Sequence, residues 1–433
     1  MSLCTAVQAA AETPAAADAA SSAPATGTYA APQPWAEPIR DYLAAGTEKF
    51  GARFERSIGG MSVFAPDGGE PLLWICYGDA TANMSKLLPI EFRYFVSPDD
   101  PTHRAAPVHA APPFTETAQG GQQRTPFDSG EEQIEPFRRI QGALWHAGVD
   151  SNNIDEKWTQ AKPAAHRLIE GNVFKLASHD GAPVWRKFRS IPGGEHVHDI
   201  AGFQGALYAV GSGSDHRDEW ESGSIFRYIW KSTDGGNTFT TVLRETYPQP
   251  GMGDTRYVRL LPAGGTLYAF GVINPRKQHG QPEPYHTALD AKGFRHLTSD
   301  ANGPVAGLFV RRSWPLDDQH GLIATRGRDG GHGVFVATGN GFREWSAASS
   351  FRLIDLTPAA EPGRFLLLTQ ELAAAGTPGG YSVRSASIED MREGRAPQAL
   401  LGIPENTPTS IVVWRGDLFI GTAGGKVLRA RKA

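Results

Sequence analysis

One stretch near the middle of the chain constrains the fold most, because it reads as four short strands in succession. Residues 192–245 contain the apolar segment His196–Phe203, the run Ala206–Val210, the aromatic-rich Ile225–Lys231 and the β-branched Phe239–Arg244. Turn-forming residues separate these segments. Four consecutive short strands predict one antiparallel meander, and a single such sheet cannot bury both of its faces alone. The pattern therefore predicts further copies elsewhere in the chain.

The same four-strand pattern recurs through the rest of the sequence. Second strands share a leucine and an aromatic residue before a glycine, as in ALWHAG, ALYAVG, TLYAFG and DLFIG. Outer strands read WRKFRSI, GFRHLT and GFREWS. Repeats of roughly 40 to 60 residues with four strands each are typical of a β-propeller. The predicted copies begin at Met61, Pro136, His196, Thr255, Val305, Phe351 and Ser410.

We therefore predict an all-β fold, a seven-bladed β-propeller of four-stranded antiparallel blades. Six or eight blades also fit, because a long insertion interrupts the first copy. The seventh copy lacks an outer strand, and the N-terminal segment Ala52–Ile58 is predicted to supply it and close the last blade. Closure removes the open sheet edges that invite aggregation. The 433 residues include 50 Gly and 32 Pro, a composition typical of many short strands joined by turns.

The N-terminal segment differs in kind from the rest. Residues 1–34 are rich in Ala, Pro, Ser and Thr, and we predict a disordered tether because such a segment cannot build a core. Residues 35–433 are predicted to form a single propeller domain, with an insertion at about 97–133 that carries or displaces an outer strand and one short helix within 35–50. The tether is similar to the segment after an export signal in bacterial secreted or lipid-anchored proteins. We expect a periplasmic or secreted protein, with Cys4 either a lipid-anchored or an incidental cysteine.

Composition also argues against several kinds of partner. The formal charge is −4 without a basic stripe, so nucleic acid is not an expected ligand. No run of about 18 apolar residues exists, so no membrane span is predicted. The two cysteines, Cys4 and Cys76, do not make a disulfide framework. The sequence identifies no cofactor, and we expect a monomer that binds a carbohydrate or a protein.

The starts of the predicted first strands carry the candidate chemistry. We expect these strand starts to lie on one face of the propeller, here called the upper face, which surrounds the mouth of the central channel. His196 and His198 lie on one side of a strand because side chains alternate between its faces. Such a pair can share a metal or supply a general base, although histidines also bond to neighbouring backbone. With Asp199, Arg256 and Arg311 they form the candidate catalytic set.

Further polar residues on the same predicted face make up a candidate ligand-binding set. A mixed ring of basic and acidic side chains at the channel mouth would suit an anionic sugar, and salt bridges between blades are the competing explanation. Asp residues also follow second strands, where two carboxylates can hydrolyse a glycosidic bond or simply cap a loop. No residue is assigned as a metal ligand. The ligand-binding candidates are Asp150, Asp215, Arg312 and Arg352, and Asp79 shares the position of the first two.

Residues 232–239, with the sequence STDGGNTF, resemble the Asp-box or BNR repeat of sialidases and related propellers. The resemblance implies a sialidase-like, glycosyl hydrolase-like propeller in which this motif is a structural turn away from the active face. Two functions stay open. One is an exported carbohydrate- or protein-binding propeller with its ligand at the channel mouth, favoured because only one convincing box is present. The other is a carbohydrate-active enzyme, a glycoside hydrolase or polysaccharide lyase, that uses the upper-face His, Arg and Asp residues.

Overall fold

The computed structural model confirms an all-β chain. Its described strands form five separate four-stranded sheets and one ten-stranded sheet, almost entirely antiparallel. The ten-stranded sheet contains two four-stranded meanders joined where His196 pairs with Val149. Among the described helices none is long and apolar enough to cross a membrane. The structure describes residues 28–51, 57–78, 89–111, 125–149, 169–216, 219, 224–246, 253–275, 280–297, 303–372, 378–404 and 407–433.

We number the four-stranded meanders 1 to 7 along the chain, and their strands first to fourth across each sheet. Meander 1 and meander 2 are linked through the predicted insertion, and meander 3 contains the stretch that reads most clearly as four strands. Meander 1 comprises Gly60–Phe64, Leu72–Cys76, Phe92–Phe95 and Arg104–Ala106; meander 2 comprises Arg138–Ile140, Ala143–Val149, Glu170–His179 and Ala182–Pro192; meander 3 comprises Gly194–Phe203, Ala206–Gly213, Phe226–Ser232 and Thr240–Thr246.

The second half of the chain continues the same order. Helical segments are few in the described residues: the α-helices Arg40–Phe50 and Ile388–Glu393, and three short 3₁₀ turns. Meander 4 comprises Gly253–Ala263, Thr266–Pro275, Glu283–Asp290 and Gly293–His296; meander 5 comprises Phe309–Pro315, Gly321–Arg326, His332–Thr338 and Gly341–Glu344; meander 6 comprises Phe351–Pro358, Arg364–Leu372, Pro378–Ser387 and Gln398–Ile403; meander 7 comprises Pro408–Trp414, Asp417–Thr422, Val427–Ala430 and, as its outer strand, Gln33–Ala36.

The outer strand of meander 7 is therefore not the predicted Ala52–Ile58. Gln33–Ala36 pairs antiparallel with Val427–Ala430 instead. Residues 52–56 lie outside the described residues, and Ile58 donates its backbone N–H to the Thr422 carbonyl at 3.1 Å without joining a strand. The segment Gln33–Ala36 is short and contains a proline, which an edge strand tolerates and which hides the strand from a sequence pattern.

An aromatic side chain explains why this edge position is stable. Trp35 lies against the rings of Phe95 and Phe419, with centroid distances of 4.6 and 4.8 Å. Its indole N–H also donates to the Pro98 carbonyl at 2.8 Å. The packing joins meander 7 to meander 1, so the strand that begins within the predicted tether is anchored on both sides.

The predicted insertion at 97–133 connects two sheets. Its strand Arg104–Ala106 is the outer strand of meander 1. The next strand, Val108–Ala110, pairs in parallel with Ala182–Pro192 at the outer edge of meander 2. Gln133–Ile134 then pairs with the second strand of meander 2. The insertion thus carries an outer strand, as predicted, and extends the neighbouring sheet.

The first strands of meanders 3 to 7 share an irregularity. In meander 3 the register shifts between Val197 and Asp199, and Gly211 of the second strand lies opposite. A Cβ atom on Gly211 would lie 1.8 Å from the His196 carbonyl oxygen, so only glycine fits beside this bulge. This close approach explains the glycine of ALYAVG. The equivalent shifts lie between Tyr257 and Arg259, Val310 and Arg312, Leu353 and Asp355, and Pro408 and Ser410.

Side chains just after these shifts join the first strands of successive sheets. The Asp199 carboxylate accepts the Leu260 backbone N–H at 2.8 Å, which links meanders 3 and 4. The Ser313 hydroxyl donates to the Leu260 carbonyl at 2.9 Å, which links meanders 4 and 5. Asp355 accepts the Ile411 backbone N–H at 3.0 Å, which links meanders 6 and 7. The first strands therefore lie side by side.

The STDGGNTF turn between the third and fourth strands of meander 3 is held by one carboxylate. Asp234 accepts hydrogen bonds from the Ser232 hydroxyl at 2.8 Å, the Thr238 backbone N–H at 3.0 Å and the Thr238 hydroxyl at 2.6 Å. Gly235 and Gly236 have φ values of 72° and 92°, which favour glycine. The predicted local turn is present, whereas membership of the BNR-repeat class stays a prediction.

We expect the substitution Asp234→Ala to lower the free energy of unfolding by about 1 kcal/mol, because several solvent-exposed hydrogen bonds are lost together. Partial burial raises the pKa of Asp234, but the bonds from Thr238 and Ser232 lower it below the ordinary 3.8. The stabilisation is therefore present above pH 3.8 and fades as the pH falls. Urea unfolding at neutral and acidic pH should show the variant and the native protein converging in acid. Thr233→Ala, in the same turn, is the control and should change little.

Candidate functional site

A cavity of about 800 Å³ opens where the first strands of the meanders begin. This volume lies within the range of small-molecule sites. Among the described residues that line it, the most prominent group is basic. Arg326 lies in the second strand of meander 5, and Arg259 and Arg312 lie just after register shifts. The basic residues are Arg259, Arg311, Arg312, Arg326 and Arg352, together with His332.

Meanders 5 and 6 concentrate positive charge on one wall of this cavity. Arg311 occupies the register shift of the first strand of meander 5, and Arg326 ends the second strand. Arg352 lies opposite Gln370 in meander 6. Partial burial, and then the charges of Arg326 and Arg352, lower the pKa of Arg311. Within the described residues none of the three arginines forms an ion pair.

A histidine lies within the same wall. His332 is the cross-strand partner of Arg326. Burial lowers the pKa of His332 from its ordinary value of 6.5, and the positive charges of Arg352, Arg326 and Arg311 lower it further. A backbone hydrogen bond with Thr325 acts in the opposite direction. The imidazole is therefore neutral at neutral pH.

The other basic residues of the cavity have partners. Arg259 lies 3.6 Å from Glu135, which also accepts a hydrogen bond from Gln133 at 2.7 Å. Arg312 donates to the Gly59 carbonyl at 2.8 Å. Glu135 is the single carboxylate among the described lining residues. In the cavity, Arg259 and Arg312 thus have protein partners. Arg311, Arg326 and Arg352 form a second group, the arginine wall, whose positive charge is open to a ligand.

His196 and His198 lie side by side, but not in the described lining of the cavity. The rings of His196 and His198 stack at 5.7 Å between centroids and 10° between planes, and His196 lies 3.0 Å from Glu195. Burial lowers the pKa of His198 well below its ordinary range, and His196, Arg256 and Arg259 lower it further. Neither histidine is among the described residues that line the cavity. No group of three or more His, Cys, Asp or Glu suited to a metal occurs in the described part of the chain.

Asp199 and Arg256, the other members of the candidate catalytic set apart from Arg311, also lie away from the cavity lining. Asp199 forms a bidentate ion pair with Arg138, at 2.7 and 2.5 Å, in addition to accepting the hydrogen bond from the Leu260 backbone N–H. Arg256 pairs with Asp254 of the same strand. The Asp199–Arg138 contact fits the competing explanation of a salt bridge between sheets, whereas the Arg256–Asp254 pair lies within one strand.

The ligand-binding candidates divide in a similar way. Arg312 and Arg352 line the cavity with Arg311. Asp215 does not; it accepts a hydrogen bond from the Tyr228 hydroxyl at 2.9 Å and lies 3.3 Å from Arg244. Asp150 falls outside the described residues, as does Asp79.

Sequence reasoning missed several lining residues. Arg326 ends a second strand, a position at which the sequence pattern singles out only aspartates such as Asp215. His332 begins the third strand, after the polar loop RGRDGG, and only the strand register brings it beside Arg326. Tyr381 and Gln370 face each other in meander 6 and line the same cavity. The signal for Arg326 in the sequence is a basic residue at the end of a predicted second strand.

A scan with protein-family models gives no match, and a search of curated proteins gives none either. Solved structures of similar fold do exist, at low sequence identity. The chain is similar to Chaetomium thermophilum Raptor (10% identity, TM-score 0.42, 89% of this chain and 30% of that chain) and to the Niastella koreensis GH74 enzyme (12%, 0.48, 86% and 52%). It is also similar to Penicillium chrysogenum α-L-arabinanase complexed with arabinobiose (13%, 0.42, 84% and 99%). The chain thus spans about a third and about half of the first two structures, and none of these likenesses carries an argument about function.

Proposed function

We propose that the meanders are the blades of a seven-bladed β-propeller, closed in the last blade by Gln33–Ala36. The bonds between first strands support this arrangement, because they link meanders 3 to 4, 4 to 5 and 6 to 7. The indole N–H of Trp314 in meander 5 also donates to the carboxylate of Asp355 in meander 6 at 3.2 Å. The ring then continues to meander 1, since the Ser410 hydroxyl donates to the Ile58 carbonyl at 2.9 Å. Ile134, just before meander 2, donates its backbone N–H to the Tyr77 carbonyl at 2.7 Å. Arg138 of meander 2 and Asp199 of meander 3 complete the sequence of contacts.

The function that the site supports best is binding of an anionic carbohydrate in the cavity described above, at the mouth of the propeller's central channel. The observation that carries it is the wall of three arginines, Arg311, Arg326 and Arg352, which have no carboxylate partner in the described residues. Guanidinium groups bind carboxylates, sulfates and phosphates through paired hydrogen bonds. A cluster of like charges that repel one another is stabilised when an anion binds among them.

The rest of the lining suits a sugar better than a simple ion. Uncharged polar side chains, including Gln133, Gln370 and Thr409, can exchange hydrogen bonds with hydroxyl groups. The rings of Tyr77 and Tyr381 line the same space and offer apolar faces with a polar tip. We retain an exported, monomeric protein as part of the proposal, and an acidic protein segment as the alternative ligand.

Binding to an array of glycans that carry uronate, sulfate or sialate groups, with neutral counterparts, tests this proposal. We expect retention of acidic glycans only, with an affinity that falls as salt is added because the charges are partly exposed. Arg352→Gln should weaken binding at least tenfold, about 1.4 kcal/mol, since it removes a hydrogen bond to a charged group. Titration calorimetry on the best array ligand measures the change.

Arg415→Gln is the matched control, because Arg415 is exposed and pairs with Glu70 at 3.0 Å away from the cavity lining. This variant should bind as the native protein does. Equal retention of neutral and acidic glycans, or an Arg352 variant with native affinity, would contradict the assignment. Retention of no glycan at all would favour the protein ligand.

The second candidate function is a carbohydrate-active enzyme. A glycoside hydrolase of the usual type needs two carboxylates about the scissile bond. Glu135 is the one carboxylate among the described lining residues, and it lies beside Arg259. The neutral His332 within the arginine wall favours the lyase form of this alternative instead.

A further inference from the structure

Three arginines and one histidine line the same cavity, and the charges of all three arginines act on the histidine. Arg326 and His332 lie directly opposite each other on adjacent antiparallel strands, so their side chains project from the same face at a Cβ separation of about 5 Å. Arg311 comes from the neighbouring strand and Arg352 from the next sheet, and the charges of both act on His332. Any anion held by the arginines is therefore close to the histidine ring.

The state of this histidine matters for chemistry. A neutral imidazole has a lone pair that can accept a proton, whereas the protonated ring has none. Three permanent positive charges disfavour the protonated ring. A base beside a carboxylate-binding group is the arrangement needed to remove a proton from the carbon next to that carboxylate.

We propose that this wall catalyses β-elimination on a polyuronate, a polysaccharide whose sugar rings carry a carboxylate at C5 and a glycosidic oxygen at C4. His332 is the base, and Arg311, Arg326 and Arg352 hold the carboxylate. The proposal rests on the anion-binding function above and names the substrate class and reaction for the same cavity.

The reaction balances without an added oxidant, metal or second substrate. His332 takes the proton from C5, and the arginines stabilise the negative charge that develops on the carboxylate oxygens. The electron pair of the C5–H bond becomes the C4=C5 double bond as the C4–O bond breaks. The departing oxygen takes a proton from water or from the Tyr381 hydroxyl, which lines the same cavity. The products are a sugar with a new reducing end and an unsaturated uronate.

The test uses the whole chain with polygalacturonate, alginate and hyaluronate as probes. We measure the ultraviolet absorbance of the conjugated double bond for elimination, and binding of each polymer separately by calorimetry. The native protein should produce the unsaturated product from at least one probe. His332→Gln should lower that rate at least 100-fold, within the range for loss of a general base, while the affinity for the polymer changes less than twofold.

Two further variants separate a chemical role from a structural one. His332→Ala should regain part of its activity when imidazole is added to the solution, which a misfolded protein would not do. His179→Gln is the control, because His179 is an exposed residue at the end of a strand of meander 2 and does not line the cavity. Its rate should equal that of the native protein.

The outcomes distinguish this inference from the function on which it rests. Binding of a probe without any unsaturated product overturns the elimination and leaves the anion-binding function in place. New reducing ends without the double bond show hydrolysis and also overturn it. An absence of binding to every acidic glycan overturns both. A His332→Gln variant that folds and eliminates at the native rate removes His332 from the mechanism.

Discussion

Asp199→Ala is expected to reduce the free energy of unfolding by about 3 to 5 kcal/mol, because it leaves a buried charge without its partner. The Asp199 side chain is 4% exposed and the Arg138 side chain 15%. The substitution removes both hydrogen bonds of their ion pair and the acceptor for the Leu260 backbone N–H. Meanders 2, 3 and 4 lose a shared contact at one point.

Chemical denaturation followed by intrinsic fluorescence measures this loss, and the site of the loss can be checked by hydrogen exchange at Leu260. Glu70→Ala is the control, since it breaks the exposed Glu70–Arg415 pair, for which a change within about 1 kcal/mol is expected. A loss below 1 kcal/mol for Asp199→Ala would mean that the contact does not stabilise the packing of meanders 2, 3 and 4. Asp199→Asn keeps one oxygen acceptor, so its loss of unfolding free energy should lie between those of Asp199→Ala and Glu70→Ala.

Gly211→Ala is expected to cost about 3 kcal/mol, at the upper end of the usual effect of overpacking. The added Cβ would lie 1.8 Å from the His196 carbonyl oxygen and 3.1 Å from the Val197 Cα. Both neighbours are backbone atoms of the bulged strand, so no side chain can turn aside to make room. The strands must separate or the bulge must change its shape.

Thermal and urea unfolding of this variant, compared with Gly402→Ala, tests the explanation. Gly402 is also in a strand, yet a Cβ there meets no atom within 4 Å, so its substitution should change stability little. If the two variants are equally stable, the close approach is not the reason for the glycine in ALYAVG. The stacking of His196 on His198 should change only in the Gly211 variant.

Strands with clear patterns are predictable from the sequence almost to the residue. The apolar runs predict strands over Ala143–Val149 and Gln398–Ile403, and the structure has strands with these bounds. The pattern predicts the first strand of meander 5 over Val305–Arg311, whereas the strand is Phe309–Pro315, preceded by a 3₁₀ turn at Gly303–Gly307. A short apolar run such as VAGLFV fits either structure, and only packing decides between them.

The site was harder to predict, for a physical reason. Alternation of side chains along a strand correctly places His196 and His198 on one side, but it cannot show which residues reach the cavity when the register shifts beside them. Arg311 occupies the equivalent shift in meander 5 and does line the cavity. The pairing of Arg326 with His332 depends on the strand register, and the effect of the Arg352 charge on His332 depends on how the sheets assemble.

The pairing of Gln33–Ala36 with Val427–Ala430 also has a consequence for how the protein is made. The ribosome synthesises the outer strand of meander 7 long before the strand that receives it. Meander 7 can therefore be completed only after meanders 1 to 6 have emerged, and this long-range contact is expected to form late in folding. Until then Gln33–Ala36 is an open edge that a chaperone would have to shield from other nascent chains.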